Sequence, residues 1–598
     1  MPFEYQPLDP SKQEIRLLTI LPHPEFESQI NCTLRTVSLK QGARFEALSY
    51  VWGGQEATEN VIVDGSPFHI TPSLDSALRY LRFRRRPRVL WADYICINQP
   101  DLEEKSTQVP LMSLIYRSCT RVVCFLGLPS PRVKAMITWI DRYMYKRVNK
   151  RTLSWWKRDC KALFSTGARR QKDIGSREAY QGMFELLSLP YWTRMWTYQE
   201  FQLAKHEPIC LLGWNVKFRA PDLGFEVLYH FAEVAFPVTD PSPFSHEPEE
   251  DQGGGAELQS FEPAHCQFFL MHADGRVRQP DTVGKLLITH LRRTTEHQCS
   301  DPRDKVYALY GMVPAAQNAY PADYKKPVEQ VMKEVTKYMI DNEVGLQIFD
   351  WFPCRADNTI NRQLPSWVLD YTQHRSHGSG RATQHIRHPT DKSLLQRASE
   401  HTNSVSTDLS TLRFWASSVG VCQVLFEFGS DRRAVAVQIL QVLDTVPEPL
   451  ASTWGPDTLS ERLIQAFFCH ETDEIDFNAD EVISIIRAIS TGATNAEAGW
   501  EDTLWQSVPY VLDGIRNKIV FLVNNEWGRG FGISGVAVAD GDQVVLADDA
   551  LHPLVLRRLQ SQHRLLGQAF IDGLAESQIP NPFCDDVKRQ PFQEFLVV

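Results

Sequence analysis

The alternation of apolar and polar positions first becomes regular at residues 60–70, where Val61-Ile62-Val63 and Phe68-His69-Ile70 flank Asp64-Gly65. Two short β-prone runs around that dipeptide predict a tight hairpin. Thr71 then stands as an N-cap with Pro72 at the first helical position, and Leu74, Ala77, Leu78 and Leu81 recur at helical spacing, so an amphipathic helix is expected to follow. Arg88-Val89-Leu90-Trp91-Ala92-Asp93 is a short apolar run closed by a polar residue. A second helix is expected after Asn98-Gln99-Pro100-Asp101, with Asp101 as N-cap, Glu104 at its third position, and Val109, Met112, Ile115, Tyr116 and Cys119 as its buried stripe. Pro110 lies inside this helix, removes one backbone hydrogen bond, and is expected to kink or restart it. Arg121-Val122-Val123-Cys124-Phe125-Leu126, ended by Gly127, reads as a strand covered on both faces. Strand, helix and strand in this order form a βαβ unit and predict a parallel sheet.

Further along, a second helix pair is expected from about Tyr180, with Trp192, Met195, Trp196 and Leu203 on one face. Residues 237–256 are rich in Pro, Glu, Ser and Gly, as a flexible loop or boundary would be. A helical middle region resumes at Ser300-Asp301-Pro302-Arg303-Asp304 and runs through Tyr307 and Leu309. Residues 373–410 are polar and poor in large apolar side chains, the composition of a linker; they hold His374, His377, His385 and His388, more simply a solvated loop than zinc ligands because no Cys or apolar shell accompanies them. Beyond 410 short apolar runs divided by turn residues, among them Ile519-Val520-Phe521-Leu522-Val523, Gly535-Val536-Ala537-Val538, Gln543-Val544-Val545-Leu546 and Leu554-Val555-Leu556, predict a small β-rich module. The resulting division is a lead-in at 1–44, a first domain at 45–215, a mainly helical middle at 216–372, a polar linker at 373–410 and a β-rich α+β region at 411–598.

Composition narrows the function without naming it. With 598 residues, 43% hydrophobic and 23% charged, the chain is multidomain and globular. A formal net charge of -10 argues against polyanion binding as the main task. One local exception is 146–172, where ten Lys and Arg face the single acid Asp159 around Trp155 and Trp156; a solvated helical insertion explains it more simply than nucleic-acid contact, which is not expected. The first residues lack a basic and apolar leader, and no apolar run reaches about 18 residues, so an intracellular, cytoplasmic protein without a membrane span is expected. The 12 cysteines are scattered with no C-x-x-C pair and read as reduced, mostly buried thiols.

Phosphate-loop, dinucleotide-fingerprint, H-E-x-x-H and G-x-S-x-G motifs are absent. What remains is polar residues at expected strand ends. Asp93 is followed by Cys96, Asn98 and Gln99, and Ser49 and Tyr50 end the stretch that runs into Val51-Trp52-Gly53-Gly54, so two strand ends are expected to line one cleft. A carboxylate there suits cleavage of the nicotinamide–ribose bond, whose oxocarbenium-like transition state a Glu stabilises or orients through the ribose hydroxyls. Glu200, with Trp196 one turn before it and Arg194 nearby, is the best-placed candidate. From spacing alone the same residues more simply suit a structural role, Arg194 and Glu200 capping or pairing within a helix and Trp196 filling a core. Cys96 has no His partner in view and reads as a buried structural thiol.

Phe45-Glu46-Ala47-Leu48-Ser49-Tyr50-Val51-Trp52-Gly53, Trp91-Ala92-Asp93-Tyr94-Ile95-Cys96-Ile97-Asn98-Gln99, Gln108-Val109 with Met112 and Ile115-Tyr116, and Tyr191 with Arg194, Trp196, Gln199 and Glu200 resemble, in order, the blocks of the fungal heterokaryon incompatibility (HET) domain. Asp301-Pro302-Arg303-Asp304 and Pro365-Ser366-Trp367 are similar to segments that follow this domain in long family members. The resemblance implies a fungal self/non-self recognition factor that triggers cell death after fusion, acting with a protein partner or by self-association. It also implies a TIR-like, flavodoxin-like parallel sheet with flanking helices. Some TIR domains hydrolyse NAD+ with a Glu four residues after a Trp, the spacing of Trp196 and Glu200. On that likeness Glu200 is the catalytic candidate, Ser49, Tyr50, Trp52, Asp93, Asn98 and Trp196 line the nucleotide site, NAD+ is a substrate, and no cofactor or metal is required. The alternative is a non-enzymatic signalling scaffold. Ala92, where the family usually has Ile, and Pro110 depart from the family pattern.

Overall fold

The computed structural model describes residues 3–53, 56–138, most of 181–213, most of 287–351, 364–371, 403–444, 479–492, most of 508–574 and 590–598. The chain divides into two compact units, Met1–Val328 and Glu329–Val598. The basic stretch 146–172, the loop 237–256 and the four linker histidines lie outside the described residues.

The first unit is built on an eight-stranded sheet. Its strands are β1 (Glu14–Ile20), β2 (Asn31–Ser38), β3 (Glu46–Tyr50), β4 (Glu59–Val63), β5 (Ser66–Ile70), β6 (Arg88–Trp91), β7 (Arg121–Phe125) and β8 (Ile209–Leu211), in the order β5-β4-β2-β1-β6-β3-β7-β8. The expected hairpin is present as β4 and β5, with Asp64 and Gly65 at φ 48° and 79°. Both central residues are left-handed, the conformation that matches the twist of the flanking strands. Helix α1 (Pro72–Leu81) starts where Thr71 accepts from the Leu74 N–H at 3.4 Å and buries Leu74, Ala77, Leu78 and Leu81.

The expected parallel sheet is present as one part of a mixed sheet. β1 runs antiparallel to both β2 and β6, while β6, β3, β7 and β8 are mutually parallel. The βαβ unit is there, but β3 lies between its two strands. Nor do residues 1–44 merely lead in, because they supply β1 and β2, and Ile15, Leu17 and Leu18 of β1 are fully buried. Between β6 and β7 come the one-turn helix α2 (Asp93–Cys96) and α3 (Leu102–Ser118), which continues through Pro110 without a break. Asp101 caps α3 by accepting from the Glu103 and Glu104 N–H groups at 3.0 Å each. Glu104 does not complete a capping box: its carboxylate turns to Arg16 (2.6 and 2.8 Å) and to the Asn98 N–H (2.7 Å). Among the described residues the later α-helices of this unit are α4 (Met195–Gln202), α5 (Leu287–Arg293), α6 (Asp304–Tyr307) and α7 (Pro314–Ala319).

The second unit opens with α8 (Val328–Met339) and contains a nine-stranded sheet. Its strands are β9 (Ser404–Val405), β10 (Leu412–Glu427), β11 (Ile519–Asn525), β12 (Gly528–Ser534), β13 (Gln543–Ala547), β14 (Leu554–Leu559), β15 (Gln562–Gln568), β16 (Phe570–Ile571) and β17 (Phe592–Val597). The long β10 pairs with β17 along its first half and with β13 and β11 along its second, so β10, β13, β14, β15 and β17 close into a ring. Helices α9 (Arg432–Asp444) and α10 (Ala479–Thr491) bury Val435, Ile439, Val482 and Ile485 against Val520, Leu522 and Phe531 of β11 and β12. The expected strand at Gly535-Val536-Ala537-Val538 is a loop; pairing ends at Ser534, whose hydroxyl donates to the Gln568 carbonyl at 2.6 Å. Residues 404–405, placed in the linker by composition, form β9 on β10.

Candidate functional site

Numbered among themselves in chain order, the parallel strands β3, β6, β7 and β8 lie in the order second, first, third, fourth. That is the start of the flavodoxin-like order, in which ligands sit outside the carboxyl ends of the strands where the order reverses, here between β3 and β7. Ser49 and Tyr50 are the last residues of β3, Trp52 follows it, and Asp93 opens the helix after β6. Helix α4 brings Glu200 to the same edge.

The contacts bind these residues into one group. Trp52 Nε1 donates to Asp93 Oδ2 at 2.9 Å, and the Tyr94 N–H donates to Asp93 Oδ1 at 2.8 Å. Arg194 sits beside the same carboxylate, its Nη2 3.8 Å from Asp93 Oδ2, donates through Nη1 to the Tyr50 carbonyl, and lies over the Trp52 ring with its guanidinium carbon 5.3 Å from the centroid. The Trp52 and Tyr94 rings meet edge to face at 5.2 Å. Beneath this layer Ser49 Oγ and the Tyr191 hydroxyl lie 2.7 Å apart, and the Tyr116 hydroxyl donates to the Leu48 carbonyl at 3.1 Å.

Glu200 is only 1% exposed, and among the described residues its Oε2 has no hydrogen-bond partner. Burial pushes its carboxyl up to about 7, assisted by the Asp93 charge and opposed by Arg194 and the Ser49 and Tyr116 hydroxyls. Burial also raises Asp93, against Arg194, the Tyr94 N–H and the Trp52 indole. Two carboxyls that share one arginine, with the Asp93 charge raising Glu200, titrate as a pair. Removal from water holds Tyr50, Tyr116 and Tyr191 neutral well above the ordinary phenol range. The arrangement can therefore hold or release a proton near neutrality in buried surroundings, the property required of a general acid or base.

Of the residues singled out from the sequence, the structure brings together Ser49, Tyr50, Trp52, Asp93 and Glu200. Two stand elsewhere. Asn98 is tied through its backbone N–H to Glu104, because the chain after α2 has already turned toward α3. Trp196 donates its indole N–H to Asp304 Oδ2 at 2.9 Å, since a half-buried indole must find an acceptor and helical side chains lean toward the N-terminus. Cys96 is a buried thiol, 3.4 Å from the Ala92 N–H and pushed up to about 12 by burial. Among the described residues no group of His, Cys, Asp and Glu is arranged to hold a metal ion, and no helix is long and apolar enough to cross a membrane. Tyr191 and Tyr116 join the group without having been candidates; both stand in the motif blocks, but only their hydrogen bonds to Ser49 and the Leu48 carbonyl assign them to the site.

Compared with known proteins, residues 45–200 match the family described as heterokaryon incompatibility protein (HET). The chain is also similar to Heterokaryon incompatibility protein 6, OR allele, of Neurospora crassa, with 34% identity over 234 residues. That match covers 35% of this chain and 34% of the relative, so the chain spans about a third of the length of the curated protein it resembles. No solved structure matches.

Proposed function

We propose that the HET domain carried at residues 45–200 is the effector of a fungal self/non-self recognition system in the cytoplasm, triggering cell death after fusion, and that it does so as a TIR-like NAD+ hydrolase. The observation that carries the enzymatic step is Glu200: a buried carboxyl with one unpartnered oxygen, titrating near 7, at the carboxyl edge where the parallel strand order reverses. In the reaction the bond between the ribose C1′ and the nicotinamide nitrogen breaks, its electron pair leaves with nicotinamide, and water supplies the new C1′–O bond while its proton passes to a base. An ionised Glu200 orients the ribose hydroxyls and offsets the oxocarbenium charge. Of the two tryptophans that the family resemblance assigns to the nucleotide site, Trp52 stands beside Asp93 while Trp196 is engaged with Asp304, so the aromatic role falls to Trp52.

A second reading rests on a specific observation. Glu200 is almost sealed, and Asp93, Arg194 and Trp52 are engaged with one another, as in a network that only holds a signalling scaffold together for assembly with a partner protein or another copy. Cellular NAD+ after induced expression of the full chain in yeast, for wild type and Glu200→Gln at matched soluble levels, separates the two. The enzymatic reading expects NAD+ to fall with wild type alone. Death at unchanged NAD+, with both proteins, would establish the scaffold.

A further inference from the structure

The helix that presents Glu200 packs on β3 and α3 within residues 45–200, and it is also gripped by chain well outside them. The first N–H of α4, from Met195, donates to the Gln298 carbonyl at 2.8 Å, and Arg194 pairs with Gln298 in an isolated parallel bridge. Trp196 Nε1 donates to Asp304 Oδ2 at 2.9 Å, while the other oxygen of that carboxylate accepts from the Tyr324 hydroxyl at 2.6 Å. The Tyr198 hydroxyl meets His290 Nδ1 at 3.1 Å. Gln199 Oε1 accepts from the Gly311 N–H at 3.2 Å, and the Gly311 carbonyl accepts from Arg117 of α3 at 3.0 Å. Gly311 fits there only because it lacks a side chain: a Cβ would stand 2.6 Å from Gln199 Oε1 and 2.5 Å from Ser113 Cβ. Asp304 is in turn seated by its neighbours, since Arg303 holds Asp301 with two bonds of 2.8 and 2.9 Å and donates to the Tyr324 and Lys326 carbonyls.

Helix α4 has only eight residues and no side-chain cap at its N-terminus, and so short a helix has little intrinsic stability. Its axis and rotation are therefore set by what grips it. We infer that residues 287–328 are an integral part of the catalytic unit, and that Asp304, acting through Trp196, and Gly311, acting through Gln199, are positioning residues that fix the depth at which Glu200 enters the site. The inference rests on the reading of Glu200 as the working carboxyl.

The test uses the full chain with Trp196→Phe, Asp304→Asn and Gly311→Ala, and two readouts. The first is the titration midpoint of Glu200, taken from infrared difference spectra against Glu200→Gln. The second is NAD+ turnover. A shift of the α4 helix changes the burial of Glu200 and moves the midpoint; partial misfolding only shrinks the signal of the folded fraction and leaves its midpoint in place. We expect Trp196→Phe and Asp304→Asn to move the midpoint and to lower kcat about tenfold with KM unchanged, because a misplaced catalytic group forfeits part of its contribution while substrate contacts persist. Gly311→Ala should do the same more strongly. Wild-type midpoints in all three variants would overturn the inference. If wild type consumes no NAD+ while the midpoint still moves, the proposed reaction fails and the positioning role stands.

Discussion

Glu200 makes a quantitative prediction about stability. Its carboxyl moves from an ordinary 4.5 to about 7 on folding, with burial as the first cause. Below about 4.5 it is neutral in both states and exerts no pH effect. Between about 4.5 and 7 it is neutral when folded and ionised when unfolded, so unfolding releases a proton and rising pH favours the open state. Above about 7 it is ionised in both, and the whole cost of the buried charge is present. At about 1.4 kcal/mol for each tenfold change in proton affinity, the stability lost across that window is about 3 kcal/mol. Part of it belongs to Asp93, which is raised alongside Glu200. Gln fills the same space and does not titrate, so Glu200→Gln should gain about 2–3 kcal/mol on wild type between pH 5 and pH 8. Native-state hydrogen exchange of amides in α4, corrected for intrinsic rates, measures the opening free energy without requiring the two units to unfold together. A difference between the two proteins that stays flat from pH 5 to pH 8 would refute the reasoning, because it would mean that Glu200 carries the same charge folded and unfolded.

Two further predictions concern the sheet. Arg16 of β1 and Glu104 of α3, with side chains 3% and 10% exposed, are joined at 2.6 and 2.8 Å, and Arg16 also donates to the Gln6 and Cys96 carbonyls. Arg16→Met or Glu104→Gln alone should cost about 3–5 kcal/mol by stranding a buried partner, and the double replacement should recover part of that, as read from the protection of β1 amides. Gly65→Ala meets no atom within 4 Å, yet its φ is +79°. Its cost should be the backbone strain of about 1–2 kcal/mol, confined to faster exchange in the β4–β5 hairpin.

Local structure was legible where a feature of the chain acts over a few residues. Asp64-Gly65 specifies its turn because both positions must be left-handed, and Thr71-Pro72 and Asp101 start their helices by satisfying exposed N–H groups nearby in sequence. The run of strand, helix and strand from Arg88 to Phe125 announced the parallel part of the first sheet, and the block spacing around Asp93 and Glu200 drew attention to its carboxyl edge. Several features were not legible. The antiparallel β1, the insertion of β3 between β6 and β7, and the loop at 535–538 depend on which distant strand offers a free edge, which no local pattern records. Trp196 illustrates the limit best. Its spacing from Glu200 is that of an active-site pair, but its indole is claimed by Asp304, 108 residues away. Sequence by itself determined the capped helices, the hairpin and the order of the motif blocks within 45–200, because propensity, capping and motif order are short-range. Only the tertiary structure decided that Glu200 is buried beside Asp93 and Arg194, and hence that it titrates near neutrality, because desolvation and charge proximity exist only once remote segments have excluded water from the same place.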